Sequence, residues 1–397
     1  MGPSAYDVIV VGGGAIGLSA AYHCARAGKK VLLLEQFEFF NERASSKGDS
    51  RFFRIIYADV RLSLLAQSAY SLWRELEREA EATLLTLTGI LFYGIAGDLM
   101  TREGNLRSCL QVMDALGIPY QNYDASALKE RFPVLKNIPP QALGLFQEQA
   151  GVIHAHATLR ALHHLAQQRG ANLRAGEPVE RIHPDPTTGV VEVETTVGRY
   201  RANKLILAPG AWANALLGHL SLQLALETWQ VTYAYYRVED TRCEYPMWFF
   251  FGEPRNADKN LYYGLPPVTT PGRIKAGADF TERVEASPAG CDFSPDPKLL
   301  ELTGNFLRQS FAQVDPEPLD PQACIYTMTP DHNFVLDQIP GHDNIVLFTG
   351  GTGQAFKYAP LLGKILSQLA LAGKTEYNIA DFSIHRPGIL ASTKRAL

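Results

Sequence analysis

The sequence feature that most constrains the fold is a glycine-rich turn close to the N-terminus. It joins an apolar run to an Ala-rich helical pattern, which leads to a second apolar run and then to Glu35. The turn has the spacing G-x-G-x-x-G and is formed by Gly12, Gly14 and Gly17. Strand, turn, helix, strand and acid follow in the order of a nucleotide-binding βαβ unit. The alternative is a βαβ unit in which the turn serves only packing.

Each part of this unit has its own role in binding a dinucleotide. Gly12 permits the tight turn, Gly14 lets the backbone approach a pyrophosphate, and Gly17 allows the helix to pack closely on the strand. The helix N-terminus presents N–H groups and the positive end of the helix dipole to the phosphates. Glu35 is placed to accept hydrogen bonds from a ribose. We therefore predict a dinucleotide site.

Size and charge narrow the class of protein. The chain has 397 residues, enough for two domains that each bury a core, and its 46% hydrophobic and 20% charged residues are usual for a soluble globular protein. The net charge of −4 gives no electrostatic reason to bind nucleic acid or an anionic membrane, and no apolar run reaches membrane-spanning length. We predict neither nucleic acid nor membrane as a partner.

Cysteine and histidine spacing gives no sign of a metal site or a disulfide framework. The five cysteines are scattered without C-x-x-C spacing, and the ten histidines include no H-E-x-x-H pattern. This usage fits a reducing cytoplasm. The apolar N-terminal segment is interrupted by glycines and preceded by Asp7, so it is not predicted to be a secretory signal. We expect a cytoplasmic protein without a metal.

Hydrophobic periodicity predicts a nucleotide domain into which a β-rich domain is inserted. Aromatic and polar residues alternate from about 222 to 324, which predicts a mostly antiparallel sheet, and the run 204–212 predicts a buried strand that returns to the nucleotide domain. Other predicted elements are an amphipathic helix at 65–80, a strand at 85–93, a helix at 157–168, a strand at 345–348 and a helix at 360–372. The predicted nucleotide domain comprises 1–84, 150–221 and 324–397, and the substrate domain comprises 85–149 and 222–323.

A second glycine-rich turn, 349–354, distinguishes a flavin from a nicotinamide. Both coenzymes share the first βαβ unit, but a reduced flavin needs hydrogen-bond donors at the N1–C2=O edge that becomes anionic. The turn is predicted at a helix start, where N–H groups and the helix dipole provide such donors. The alternative is an ordinary helix cap.

Three separated blocks resemble the monomeric sarcosine oxidase family of flavin amine oxidases, within the D-amino-acid-oxidase fold group. The blocks are 45–57, 323–331 and 350–357, the last followed by 373–376. The segments 39–42, 248–251, 260–264 and 275–280 are closer to the branch that oxidises piperideine-2-carboxylate in nikkomycin biosynthesis. The resemblance implies an α/β (α+β) fold with a Rossmann-like FAD-binding domain and a substrate domain on a mostly antiparallel sheet.

The resemblance implies a covalent flavin. It places Cys324 at the cysteine that forms a thioether with the 8α-methyl group of FAD, and a thiolate is the side chain suited to that bond. Without the motif, Cys324 would be read as an inert buried cysteine. The same resemblance assigns further residues to cofactor binding, namely Ser45, Ser50, Val179, Gly351 and Gly353.

Cations matched by the resemblance are expected to surround the substrate and the flavin. Arg54 and Lys357 match the pair that binds the substrate carboxylate, for which an arginine offers a bidentate fork and a lysine a point charge. Arg51 matches a basic residue near the flavin ring. Lys275 matches the lysine that helps the reduced flavin react with O2, because a fixed positive charge stabilises the anionic oxygen species. Lys275 as a solvated lysine is the alternative.

The remaining matched positions bear on the amine. Tyr263 and Tyr326 match ring-lining tyrosines, although both are also compatible with ordinary sheet positions. Asp279 stands where sarcosine oxidase has a histidine, and Glu103 falls at a second acidic position of the nikkomycin-type branch. A carboxylate there accepts a proton from the substrate nitrogen or pairs with an iminium, which favours a larger or cyclic amine. Apolar walls are expected from Trp248, Phe249 and Phe251, with core packing as the alternative.

These expectations combine into one leading function and two alternatives. The leading function is oxidation of a secondary or cyclic α-amino (imino) acid to the imine by a monomeric FAD oxidase, with O2 reduced to H2O2. A dehydrogenase that passes electrons to a partner or quinone is the first alternative. A non-catalytic flavin-binding subunit is the second.

Overall fold

The structure, a computed structural model, describes residues 6–97, 100–252 and 261–391. Asn260, the first residue of the block 260–264, lies outside these ranges. Within them the chain forms eight α-helices: α1 Ala15–Arg26, α2 Val60–Ala80, α3 Leu106–Leu116, α4 Ala125–Arg131, α5 Ala155–Gln168, α6 Ala213–Leu217, α7 Pro297–Ser310 and α8 Ala359–Ala372. No helix in the described part of the chain is long and apolar enough to cross a membrane.

The strands of the first half are β1 Tyr6–Val11, β2 Val31–Leu34, β3 Ser50–Phe53, β4 Leu85–Leu87, β5 Ile90–Ile95, β6 Gln121–Asp124, β7 Ala142–Gln147, β8 Gly151–His154, β9 Asn172–Arg174 and β10 Val179–Pro184. Those of the second half are β11 Val191–Thr195, β12 Arg199–Leu207, β13 Glu227–Arg237, β14 Met247–Phe251, β15 Leu261–Leu265, β16 Arg273–Ala278, β17 Val284–Glu285, β18 Leu319–Met328, β19 Val335–Ile339 and β20 His342–Thr349. They assemble into three sheets within the described ranges.

The first sheet confirms the predicted βαβ unit. Its parallel strands lie in the order β9-β2-β1-β12-β20, with β19 antiparallel to β20 and the hairpin β10-β11 beside the first half of β12. The run around 205–208 returns to this sheet, as predicted. Because the strands are parallel, their carboxyl ends meet at one edge, which is where ligands bind in such sheets. Gly12, Glu35, Ala208 and Gly350 follow directly after those ends.

Helices pack tightly on the first sheet. The side chains of β1 and β2 are buried on both faces, so these strands read as continuous apolar runs. α1 and α8 approach so closely that a Cβ on Gly363 would lie 2.2 Å from the Oγ atom of Ser19. The close packing fixes the N-terminus of α1 at the carboxyl edge of the sheet.

The second sheet is mostly antiparallel, as the period-two pattern predicts. Its order is β17-β13-β16-β15-β14-β5-β7-β6, with β18 on the other side of β13, and β14 pairs in parallel with β5. The prediction missed helix α7 in this region. Asp296 caps that helix by accepting a hydrogen bond from the Lys298 amide at 2.9 Å, and Pro297 occupies its first turn.

The strand predicted at 85–93 is divided between two sheets. The chain turns at Gly89, where φ is +68° and a Cβ would meet the ring of Phe146 at 2.2 Å. β4 therefore joins the small sheet β3-β8-β4, and β5 joins the second sheet. The small sheet carries Arg51 on β3 and leaves Arg54 directly after it, between the two large sheets.

Candidate active site

The glycine turn after β1 is shaped by contacts that leave no room for a side chain. A Cβ on Gly12, where φ is +107°, would lie 2.3 Å from the carbonyl oxygen of Ala208. A Cβ on Gly17 would lie 1.8 Å from the carbonyl oxygen of Gly12. Gly14 is extended and immediately precedes α1. Gly17 thus serves packing, and Gly12 and Gly14 bring the backbone to the cleft.

Glu35 lies at the end of β2 and is almost fully buried. Its carboxylate accepts hydrogen bonds from the amides of Gly13 at 2.6 Å and Phe37 at 2.9 Å. Burial raises its pKa, against the effect of these hydrogen bonds. The amide of Glu177 donates to the Glu35 carbonyl oxygen at 2.9 Å, which brings Val179 to the same end of the cleft.

A single long cleft joins this nucleotide end to the cations between the sheets. It contains about 1950 Å³ of space between atoms, open solvent at its mouth included. All predicted site residues line it except Gly17: Gly12, Gly14, Glu35, Ser45, Ser50, Arg51, Arg54, Glu103, Val179, Tyr263, Lys275, Asp279, Cys324, Tyr326, Gly351, Gly353 and Lys357. The glycine turn, the buried acid and the extent of the cleft from Glu35 to Lys357 fit a dinucleotide coenzyme with a small molecule beside it.

Arg51 is fixed by backbone carbonyls. Its guanidinium donates to the carbonyl oxygens of Ser50 at 2.8 Å, Ser45 at 2.8 Å and Lys47 at 2.5 Å, and it lies over the Phe356 ring with 5.5 Å to the centroid. The segment 45–50 therefore curves around the guanidinium, with three of its carbonyl oxygens directed at it. A cation is thereby held at the cleft wall by backbone groups.

Arg54 is buried between aromatic rings and is paired with an acid. Its guanidinium donates to the Glu103 carboxylate and to the Ile56 carbonyl oxygen, the latter at 2.8 Å. It lies 4.0 Å from the Tyr57 ring centroid and 5.3 Å from that of Phe249. Desolvation opposes the charge, but the Glu103 carboxylate and the neighbouring phenol groups together outweigh it and raise the arginine's pKa. Arg54 is therefore a permanent cation at the cleft.

Arg102 is a site residue that the sequence analysis missed. Its guanidinium pairs with the Asp279 carboxylate, donates to the Thr352 carbonyl oxygen at 2.7 Å and lies 3.7 Å from a Glu103 oxygen. It also lies over the Tyr326 ring, 5.7 Å from the centroid. Its position next to Glu103 is the one feature of the sequence that points to it. The Arg102 side chain connects the second sheet to the turn before α8.

The two buried acids are driven in opposite directions. For Glu103, burial raises the pKa, but the charges of Arg54, Arg102 and Lys357 lower it overall. For Asp279, burial dominates and raises the pKa to about 6, although Arg102 opposes this. Glu103 therefore favours the ionised form, whereas the pKa of Asp279 lies closer to neutral pH than that of an ordinary carboxyl group.

Lys357 completes this cluster of charges. Its ammonium donates to the Gln354 carbonyl oxygen at 3.1 Å and lies 5.5 Å from the Tyr57 ring centroid. Burial and then the charge of Arg54 lower its pKa well below the ordinary value. An anion bound beside it would reverse this shift. The structure thus brings Arg54 and Lys357 together around Tyr57, although about three hundred residues separate them.

The turn after β20 differs in one respect from its prediction. It was expected at the start of a helix, but a 3-10 turn, Ala355–Tyr358, stands between it and α8. The amide of Thr352 donates to the Thr327 carbonyl oxygen at 2.9 Å, so the turn is held against β18. A Cβ on Gly353 would lie 2.6 Å from the Tyr326 ring. Gly353 therefore permits close contact between turn and ring.

Lys275 is buried on β16 and faces a tyrosine. Its ammonium donates to the Ser50 carbonyl oxygen at 3.3 Å and lies 3.9 Å from the Tyr233 ring centroid. Burial, followed by the charge of Arg51, lowers the pKa of Lys275 to about 7. The solvated-lysine alternative is therefore wrong for this residue.

Cys324 lies on β18 in an aromatic cluster. It is opposite Val231 on β13 and packs with Tyr233 and Tyr235, with its sulfur 3.8 Å from the Ile325 carbonyl oxygen. It is buried from solvent yet lines the cleft. Its thiol is therefore reachable only from within the cleft.

Aromatic side chains divide between the cleft and the core. Phe249 and Tyr263 line the cleft with ring centroids 5.8 Å apart, and Tyr326 lines it beside the turn. Burial raises the pKa values of both tyrosines, so they are neutral phenols. Trp248 instead packs on Phe311 at 4.9 Å between centroids, and Phe251 packs on another core ring. Of the three expected wall residues, Phe249 alone lines the cleft in the described part of the chain.

Comparisons with known proteins agree with this architecture. Residues 7–369 match the model of a family described as FAD dependent oxidoreductase. The peroxisomal sarcosine oxidase of Homo sapiens is 33% identical over 387 residues, which are 96% of this chain and 96% of that protein. The monomeric sarcosine oxidase of Bacillus sp. (strain B-0618) is 30% identical over 393 residues, 98% of each chain.

A solved structure is similar over nearly the whole fold. NikD, described as an unusual amino acid oxidase essential for nikkomycin biosynthesis, superposes with a TM-score of 0.88 at 34% sequence identity. The similarity covers 95% of this chain and 97% of NikD. The similarity is therefore not confined to the nucleotide-binding unit.

Proposed function

The chain belongs to the FAD-dependent oxidoreductase family, among its sarcosine oxidase-like amine oxidases, and we propose that it oxidises a secondary or cyclic α-amino acid with O2. The substrate loses one hydrogen from carbon and one from nitrogen and becomes an imine. The two electrons and two protons reduce O2 to H2O2. FAD held in the cleft would supply the electron acceptor for this oxidation and the route by which the electron pair reaches O2.

We propose that Gly12, Gly14 and Glu35 hold the adenosine and pyrophosphate portion of FAD, together with Val179. The residues Ser45, Ser50, Gly351 and Gly353 would hold its flavin portion. Support comes from their positions along one cleft and from the glycines of the two turns, which leave the backbone open to it.

The substrate carboxylate would bind to Arg54 and Lys357. Arg54 already donates to Glu103, so the incoming carboxylate shares or replaces that contact. The cluster brings three basic side chains, Arg54, Arg102 and Lys357, together with two acids, Glu103 and Asp279. A carboxylate bound beside Lys357 favours its protonated form and so strengthens its own binding.

Asp279 would take the proton that the substrate nitrogen releases. Its pKa, raised by burial to about 6, lies near the working pH, which is the condition for efficient proton exchange. Arg102 orients the carboxylate, and the neighbouring phenols of Tyr263 and Tyr326 do not compete for the proton. Lys275, which lines the same cleft, would supply the positive charge that O2 reduction requires.

The observation that carries the proposal is the convergence of distant charged residues. Arg54, Lys357 and Lys275 line the same cleft as Gly12 and Glu35. These five residues come from four separate parts of the chain. These residues would together bind a coenzyme and an anionic amine and supply the charge for the reaction with O2.

The purified protein is expected to be yellow and to lose its flavin absorbance when mixed anaerobically with its substrate. We would screen sarcosine, other N-methyl amino acids, proline, pipecolate and unsaturated piperidine carboxylates at neutral and alkaline pH, with the decarboxylated amines as controls. Admitting O2 should restore the absorbance and yield one H2O2 per substrate. Bleaching without O2 uptake would favour a dehydrogenase, and no bleaching by any amine would favour a non-catalytic subunit.

Cys324→Ser is expected to make the flavin extractable by acid, because we propose that Cys324 holds FAD through a thioether to its 8α-methyl group. Forming that bond removes one hydrogen from the thiol and one from the methyl group, and the two electrons pass through the flavin to O2. Flavin should stay in the acid precipitate of the parent protein and of Cys291→Ser, a control at a half-buried cysteine. Flavin retained by the precipitated Cys324→Ser protein would contradict the assignment.

We also propose a monomer that works in the cytoplasm, and the division into a nucleotide domain of 1–84, 150–221 and 324–397 and a substrate domain of 85–149 and 222–323. The first sheet takes strands from each of the three nucleotide stretches, which supports this division. β18 crosses the boundary at 324 and pairs with the second sheet.

A further inference from the structure

We propose that Tyr233 is a positioning residue for Lys275, whose ammonium it holds against its ring beside Arg51 so that the charge is available to O2. The inference rests on the proposed role of Lys275 in the oxidase reaction. It assigns a function to a tyrosine for which no motif was found in the sequence.

The sheet register places the ring and the ammonium on one face. Tyr233 on β13 is opposite Gly277 on β16, and Lys275 lies two residues from that glycine. Such diagonal neighbours lie on the same face and within reach of long side chains. With no side chain on Gly277, the ring extends towards Lys275, whose ammonium lies 3.9 Å from the centroid.

Without the ring, the surroundings of the ammonium are unfavourable. The side chain is buried, and its hydrogen-bond acceptor, the Ser50 carbonyl oxygen, also accepts from Arg51 at 2.8 Å. Arg51 and Lys47 disfavour the charged form of Lys275, whereas Asp49 and Cys324 favour it. A desolvated cation over an aromatic face is attracted by the ring quadrupole. The ring therefore offsets part of the cost of placing two cations at one carbonyl.

Packing fixes the ring in this position. A Cβ on Gly48, where φ is +83°, would lie 2.7 Å from the Tyr233 hydroxyl oxygen, so the ring occupies space that this glycine leaves open. Tyr233 also packs with Val231, Tyr235 and Cys324. Burial raises the pKa of Tyr233, so its ring carries no negative charge of its own.

Tyr233→Leu is expected to slow the reaction of the anaerobically reduced holoenzyme with O2 about tenfold at neutral pH, the effect of losing a desolvated cation–π contact. Tyr233→Phe keeps the ring and should restore the rate. Reduction by the amine should stay within about twofold in both variants, since the contact acts on Lys275.

A direct readout is the pKa of Lys275, measured by titrating the NMR shift of its isotope-labelled Cε atom. The signal is assigned by its loss in Lys275→Met. The pKa should fall in Tyr233→Leu and be retained in Tyr233→Phe.

A trifluorinated phenylalanine at position 233 keeps the shape of the ring and weakens its attraction for cations, so it tests the proposal even if Tyr233→Leu does not fold. It should lower both the Lys275 pKa and the rate with O2. An unchanged pKa in Tyr233→Leu and in the fluorinated variant, or equal loss of both half-reactions, would overturn the proposal. If Lys275→Met reacts normally with O2, the function proposed for Lys275 fails, whereas the NMR titration still decides whether Tyr233 acts on its charge.

Discussion

Lys275→Met is expected to slow the reaction of the reduced protein with O2 by about 10²- to 10³-fold, the usual cost of removing one preorganised electrostatic group. Reduction by the amine should change little, because the Lys275 ammonium contacts Ser50 and Tyr233, whereas the proposed amine-binding groups belong to the Arg54 and Asp279 cluster. The measurement is stopped-flow absorbance of each half-reaction. In the parent protein the rate with O2 should fall as the pH rises through the lysine's pKa, which burial and Arg51 lower to about 7.

The rate with O2 should fall with rising pH because only the protonated form of Lys275 carries a charge. The ammonium is present below that pKa and lost above it, so the pH dependence of the reaction with O2 should disappear in Lys275→Met. A bound anionic coenzyme raises the pKa and moves the transition to higher pH without changing its direction. Lys298→Met, at an exposed ion pair on α7, is the control and should keep the parent rate. A normal rate in Lys275→Met would exclude the assigned role and favour another source of positive charge.

Arg54→Met is expected to lower kcat/KM for the amino acid about 100-fold or more, because truncating one partner of a buried charge pair costs about 2–5 kcal/mol. It should also lower the free energy of unfolding by about 3–5 kcal/mol, since the Glu103 carboxylate remains buried without its main partner. The measurements are steady-state kinetics and denaturant unfolding monitored by fluorescence. The matching amine without a carboxylate should lose little in kcat/KM.

The double variant Arg54→Met/Glu103→Gln separates binding from stability. Removing both charges should recover most of the stability, because no unpaired buried carboxylate is left. Activity towards the amino acid should not recover, because the fork that binds the carboxylate is still missing. Arg54→Lys should be intermediate, with a charge but no fork. Recovery of activity in the double variant would show that Arg54 merely neutralises Glu103.

The sequence predicts the parts of this protein that depend on local order. Gly12, Gly14, Gly17 and Glu35 lie within one βαβ unit, so their spacing alone predicts their arrangement, and the structure confirms it. Alternating aromatic residues similarly predict the second sheet. Helix α7 was missed because its cap and proline are the only start signals within a region dominated by strand patterns.

The pairing of charges was beyond sequence analysis. The resemblance gave Glu103 and Asp279 as positions near the substrate nitrogen, but Arg102, which connects them, is 177 residues from Asp279 and belongs to no motif. The contact of Lys275 with Tyr233 depends on the register of two strands that are joined by a long connection. Such contacts follow from tertiary packing, so one sequence contains no local pattern that reveals them.

The chain of alternating charges from Arg54 through Glu103 and Arg102 to Asp279 also constrains how such an enzyme can evolve. Each charged side chain in this chain is paired with a neighbour. A single substitution therefore leaves another charge buried without its partner and lowers the stability of the fold before it brings any advantage. Phe249 carries no charge and makes no ion pair, although its ring lies beside Arg54, so its replacement leaves every ion pair of the chain in place. New preferences for amines should therefore arise through changes along the apolar wall, while the ionic chain is inherited as a block.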